Sequence, residues 1–225
     1  MGTSNNTQRK SPQPGKILRI FVIVCIFISI VVGALSIPFV YESQTLWYKI
    51  GIDKILLRMG KIAGLLAAVL LLAQILLGVR GKTLEELFGV RSLVQWHRVN
   101  GVLVLVLVLS HVALVLIPEG IVNLPVGMKY WPEMVGAVLL LVIASTVVSS
   151  LLRQRMGFIY ARWRIFHKLF GYLALALVGV HILFVSESFE HVVPRTALLL
   201  AVAAVVIILF GIKRVAYKKR QQGRK

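Results

Sequence analysis

The chain has 225 residues, 58% of them hydrophobic and only 15% charged, with a mean hydropathy of +0.87. Soluble domains sit nearer half apolar and a quarter charged, so an ordinary globular enzyme is excluded and a multi-span membrane protein is indicated. The formal net charge of +18 lies in short blocks beside apolar runs, the pattern of topology signals and lipid-surface anchors, so the partner is membrane lipid and not nucleic acid.

Residues 1–16 are polar, with Pro12, Pro14 and the basic residues Arg9, Lys10 and Lys16; a disordered cytoplasmic tail is expected. The run 17–40 is too long for a signal peptide and closes on no small-x-small cleavage site, so it is read as a retained first span. It contains Cys25, the only cysteine. An intramolecular disulfide and a cysteine-ligated zinc or iron–sulfur site within this chain are thereby excluded.

Five further apolar runs follow at about 61–79, 99–117, 134–152, 169–186 and 195–213. They are rich in Leu, Val and Ala and show none of the short-strand alternation of a membrane barrel. The expected fold is all-α: a six-helix transmembrane domain over residues 17–213, then a basic cytoplasmic tail at 214–225. The third and fifth helices should begin several residues before their apolar runs, because they carry His97 and His167.

Charge sorts the connectors. The two tails and the second and fourth connectors hold twenty basic residues against two acids, Glu85 and Glu86; the opposite side holds six of each. The positive-inside rule then puts both termini in the cytoplasm. The setting read from this is the cell (inner) membrane.

Four of the five histidines obey one pattern. Trp96-His97-Arg98-Val99-Asn100-Gly101 runs on to His111, and Phe166-His167-Lys168-Leu169-Phe170-Gly171 runs on to His181. Fourteen helical residues rise roughly 21 Å and complete nearly four turns, so each pair lies on almost one helix face. Both helices run from cytoplasm to outside. His97 is then level with His167 near the cytoplasmic surface, and His111 level with His181 near the outer one.

Two facing imidazoles at one depth can clamp a haem iron, leaving it six-coordinate and suited to electron transfer. Two such pairs across about 30 Å of hydrocarbon would form an electron path. Gly101 and Gly171, one turn after the inner histidines, offer room for a flat macrocycle. Arg98 and Lys168 stand where propionates reaching toward the cytoplasmic headgroups would meet them.

Blander readings stay open. A lone membrane histidine is commonly a hydrogen-bonded interhelical contact, and zinc is a rival ligand, though two half-sites about 21 Å apart suit it poorly. Gln74 reads as an interhelical bond or a haem contact. Trp96, Tyr160 and Trp163 read as interfacial anchors. Lys129 and Arg195 are loop charges, partners of outer propionates or attractors of an anionic substrate, and His191 is a surface residue outside the repeat or a group at an electron exit or metal-docking site.

Six helices with His-x13-His on the third and again on the fifth resemble the ferric reductase-like transmembrane domain. That group includes the membrane part of NADPH oxidases, ferric-chelate reductases and the haem subunit of the bacterial periplasmic methionine sulfoxide reductase system. The resemblance covers about residues 60–213. The segments Arg91-Ser92-Leu93-Val94-Gln95-Trp96-His97 and Arg162-Trp163-Arg164-Ile165-Phe166-His167 share in it. It implies an inner b-type haem on His97 and His167 and an outer one on His111 and His181.

Members with a flavin- and NADPH-binding region carry it after the sixth helix. No Gly-rich dinucleotide fingerprint occurs in this sequence. Electrons are therefore expected from a separate flavoprotein reductase, from a membrane quinol, or from FAD or FMN held at the cytoplasmic face. The acceptor would be ferric iron, oxygen or a periplasmic reductase. The chain would be the electron-transfer part of an oxidoreductase; the alternative is a non-catalytic haem-binding subunit, a sensor or assembly partner.

Overall fold

The computed structural model describes residues 14–79, 81–120, 125–155, 157 and 159–222. Most of the expected N-terminal tail, Arg80 and residues 223–225 lie outside them. The chain forms eight α-helices in these residues and no strand: α1 Pro14–Val40, α2 Gln44–Tyr48, α3 Gly51–Val79, α4 Lys82–Phe88, α5 Val90–Glu119, α6 Trp131–Leu152, α7 Tyr160–Val185 and α8 Val192–Gln222. Two 3-10 turns, Met128–Tyr130 and Glu187–Glu190, precede α6 and α8.

Six of these helices (α1, α3, α5, α6, α7 and α8) are long and apolar enough to cross a membrane. As expected from their histidines, α5 and α7 begin well before their apolar runs, at Val90 and Tyr160. The helical state begins earlier than expected at the N-terminus, since 14–16 belong to α1 and not to a disordered tail. At the other end α8 continues through the basic segment to Gln222, because Lys, Arg and Gln are good helix formers.

The sequence pattern did not reveal α2 and α4. A glycine separates α4 from α5: Gly89 has φ +77°, a conformation that suits glycine, and its N–H closes α4 on Glu85 O at 2.9 Å. Gly120, at φ +83°, ends α5 in a similar way on Ile117 O. The first connector is tied down by charge. Glu42 accepts from Lys54 and Arg58 of α3, and Lys49 reaches Pro118 O at 2.8 Å and Glu119 at 3.3 Å.

Antiparallel neighbours α3 with α5, and α6 with α7, are the most extensively packed pairs, and α8 closes the bundle against α3 and α7. Ala68, Leu71, Val104, Leu139, Val142, Ile143, Ala174 and Val178 form one buried core at mid-bundle. A second cluster of Ile75, Leu175, Val205 and Leu209 seats α8. The apolar stretch of α1 buries none of its residues, and Leu18 and Phe21 are 63% and 64% exposed. In water such a surface would be an aggregation hazard, whereas hydrocarbon is its proper solvent.

Candidate functional site

All four patterned histidines lie on α5 and α7, in two pairs. The His97 and His167 rings are 6.0 Å apart between centres with planes at 70°; those of His111 and His181 are 6.5 Å apart at 83°. Val104 lies seven residues from each histidine of α5, and Ala174 seven from each of α7; both belong to the mid-bundle core. A dry layer therefore separates the two levels.

Each ring is held from a second helix. On α3, Gly60 O is 2.8 Å from His111 Nδ1, and Gln74 O is 3.2 Å from His97 Nδ1. On α6, Pro132 O is 2.9 Å from His181 Nδ1. A carbonyl oxygen only accepts, so Nδ1 carries the proton in these three rings and the lone pair sits on Nε2.

Four residues beyond each carbonyl stands a glycine. A Cβ on Gly64 would lie 2.7 Å from His111 Nδ1, one on Gly78 3.2 Å from His97 Cε1, and one on Gly136 2.4 Å from His181 Cε1. Along α3 the pair 60/64 recurs fourteen residues later as 74/78, the histidine spacing of α5 mirrored on its antiparallel neighbour. Along α6 the pair 132/136 recurs as 146/150. The last position is Ser150, not glycine, and its Oγ stands 3.4 Å from His167 Nδ1.

Gln74 has the interhelical role. Its side chain donates to His97 O at 2.8 Å and accepts from Asn100 Nδ2 at 2.8 Å, while Asn100 also reaches Leu70 O at 2.9 Å. The two sequence-matched glycines differ in their surroundings. A Cβ on Gly101 would meet Gln74 Nε2 at 3.0 Å, so this glycine makes room for α3, whereas nothing lies within 4 Å of a Cβ on Gly171. Arg98 and Lys168 are exposed on α5 and α7 beside the first histidine pair.

The Trp163 ring stacks on His167, 5.1 Å between centres at 26°, and Tyr160 follows at 5.8 Å. The Arg153 guanidinium lies over both aromatic rings. Beyond the interfacial anchoring expected of both, Trp163 touches the site, and its i, i+4 spacing to His167 is the sequence signal for that contact. Gly60, Gly64, Gly78, Gly136 and Ser150 join the site only through the pairing of α3 with α5 and of α6 with α7. At the opposite end, Lys61 reaches the Ser43 and Thr45 hydroxyls, and Thr45 N–H donates to Glu187. His191 stands apart from the quartet, its ring 5.2 Å from that of Tyr41.

The donor set fits haem iron. A metal-bound imidazole has its nitrogen about 2 Å from the ion and its ring centre roughly 1 Å further, so two trans imidazoles have centres about 6 Å apart. Both pairs match that separation. Among the described residues no three metal-ligating side chains gather, as a structural zinc site would need. The indole Nε1 of Trp163 is buried without a hydrogen-bond partner, a donor suited to an acidic group of a bound molecule.

No curated protein and no solved structure gives a significant match to the chain. The family model described as ferric reductase like transmembrane component matches residues 63–178, from the middle of α3 to within three residues of His181. Spanning just over half of the 225 residues and three of the four paired histidines, that match shows that the chain belongs to the ferric reductase like transmembrane component family and is an integral, multi-pass membrane electron-transfer component.

Proposed function

We propose that the protein is a di-haem cytochrome b that carries electrons across its membrane, from a cytoplasmic flavoprotein or quinol to an acceptor on the outer side. The observation that carries this reading is the facing of imidazoles at two levels, His97 with His167 and His111 with His181. The charge asymmetry of the connectors supports placing the His97–His167 level toward the cytoplasm.

Bound haem supplies one-electron chemistry by alternating between ferric and ferrous iron. The chain's own residues do the rest. His97 and His167 would hold the inner haem, and His111 and His181 the outer one. The carbonyls of Gln74, Gly60 and Pro132 fix the orientation and tautomer of three of these rings and raise the basicity of Nε2. Gly64, Gly78 and Gly136 let the neighbouring helix approach them. Gly171 leaves open space beside the inner pair, and Arg98 and Lys168 stand beside it to meet carboxylates of the bound group. Val104, Leu139, Ile143 and Ala174 keep water out of the interval between levels. Ferric iron, oxygen or a periplasmic partner enzyme suits the outer end.

Purified protein should give a reduced-minus-oxidised b-type spectrum with two haems per chain. Replacing His97 or His167 should remove one haem and spare the other. A colourless protein, or one indifferent to those replacements, would sink the reading. Reduction by quinol or a reduced flavoprotein, followed by reoxidation with Fe(III) or oxygen, separates an electron carrier from a non-catalytic haem-binding subunit.

A further inference from the structure

Three of the four imidazoles share one arrangement: Nδ1–H donated to a backbone carbonyl, and a glycine four residues further along the same helix against the ring. The fourth departs from it at a single residue. By the register of α6, Thr146 O is the equivalent of Pro132 O, and Ser150 stands where Gly136 stands. Ser150 Oγ donates to Thr146 O at 2.6 Å, and Ser149 Oγ reaches the same carbonyl at 3.2 Å. The carbonyl that would hold His167 is thereby taken, and the Ser150 oxygen, its own proton committed, offers a lone pair to His167 Nδ1 at 3.4 Å.

We propose that Ser150 is a positioning residue for His167, which sets the inner haem apart from the outer one by replacing a direct carbonyl acceptor with a long hydroxyl bond. This rests on the di-haem reading of the site. A carbonyl at 2.8–3.2 Å, as at the other three rings, draws the Nδ1 proton strongly and makes Nε2 a better donor to ferric iron. A hydroxyl at 3.4 Å is at the edge of hydrogen-bonding distance and polarises the ring far less. Ser150 thus leaves the inner iron less stabilised in its ferric state than a glycine at the same place would.

The substitutions at this position separate the hydroxyl from the backbone behind it. Ser150→Gly removes both the Cβ and the nearer of the two side-chain donors on Thr146 O, leaving Ser149 Oγ at 3.2 Å, which lets His167 approach Thr146 O as His181 approaches Pro132 O. Ser150→Ala removes the acceptor but keeps a methyl group in front of the carbonyl, which leaves the Nδ1 proton unsatisfied. Ser145→Ala is the control, because the Ser145 hydroxyl makes a similar back-bond, to Leu141 O at 2.6 Å, on the same helix.

The test is spectroelectrochemical titration of the haem-loaded protein in lipid nanodiscs, with haem content and the low-spin ferric resonance signals measured in parallel. One of the two midpoints, the one lost in His167→Ala, should move down in Ser150→Gly and up in Ser150→Ala. The other midpoint should stay fixed in both, and Ser145→Ala should change neither. Haem retention at the inner level in Ser150→Ala should weaken by about tenfold or more; loss of that haem in the alanine variant alone also supports the role. Shifts of one sign in both variants, or none in either, overturn it while the di-haem reading survives. A wild-type protein that holds no haem at His167 overturns both.

Discussion

Gly136 of α6 lies so close to His181 of α7 that a Cβ on the glycine would stand 2.4 Å from the imidazole Cε1 and 2.7 Å from Nδ1. The His181 ring is thus wedged between a carbonyl that orients it, Pro132 O, and a backbone with no side chain to push it away. Gly64 stands in the same relation to His111.

Gly136→Ala should therefore displace His181, with destabilisation of about 1–3 kcal/mol from overpacking, and on the proposed di-haem reading it should lower haem content from two per chain toward one. Gly211→Ala is the comparison, since nothing lies within 4 Å of a Cβ there and alanine is the better helix former. Haem quantitation on the two purified variants checks this; equal loading would contradict the wedge.

The Gln74 side chain makes two of the hydrogen bonds that join α3 to α5. Gln74→Leu removes the donor to His97 O and the acceptor of Asn100 Nδ2. Leaving part-buried polar groups unmatched costs about 1–3 kcal/mol. Thermal unfolding in detergent should show that loss and, on the proposed di-haem reading, weaker haem retention at the His97 level with little change at the His111 level.

Trp163 covers one face of His167. A phenylalanine there keeps a ring on the imidazole and a leucine does not, and such aromatic contacts contribute about 0.5–1.5 kcal/mol. On the proposed di-haem reading, Trp163→Leu should broaden or shift the ferric low-spin signal of one haem, and Trp163→Phe should preserve it. Identical spectra for all three proteins would remove Trp163 from the site.

Glu42, outside the spans, is held below the usual carboxylate range, first by its hydrogen bond to Lys54, then by Arg58. With the folded pKa lowered, the contribution is fully present above the ordinary glutamate value of 4.5. It is lost as pH falls through the lower folded value. Glu42 and its two partners are all partly open to solvent, their side chains 25–32% exposed, so the effect is modest. Thermal stability should decline across that acid window in the wild type, and Glu42→Gln should flatten that part of the profile.

The spans and the histidine quartet were legible because each is a property of one helix: apolar length, and a fourteen-residue spacing on one face. Gly64, Gly78, Gly136 and Ser150 were not, because what they do belongs to a pair of helices. Their meaning appears only when α3 is laid against α5 and α6 against α7, with the carbonyls of 60, 74 and 132 brought to the Nδ1 atoms. Gly101 was read from its position on the histidine face, yet its neighbour is Gln74 of α3. The short helices α2 and α4 escaped because five or seven residues carry too little periodicity to register.

The dry layer around Val104 and Ala174 has an electrical consequence. On the proposed reading an electron passing from the His97–His167 level to the His111–His181 level travels roughly 21 Å of a hydrocarbon layer of about 30 Å, and no proton pathway through that layer accompanies it in the proposed scheme. A full charge crossing is worth about 2.3 kcal/mol per 100 mV, and this step spans roughly two-thirds of the thickness. In a membrane negative inside, the voltage pulls each electron outward, so turnover would discharge the membrane as it proceeds and would slow when the membrane is depolarised.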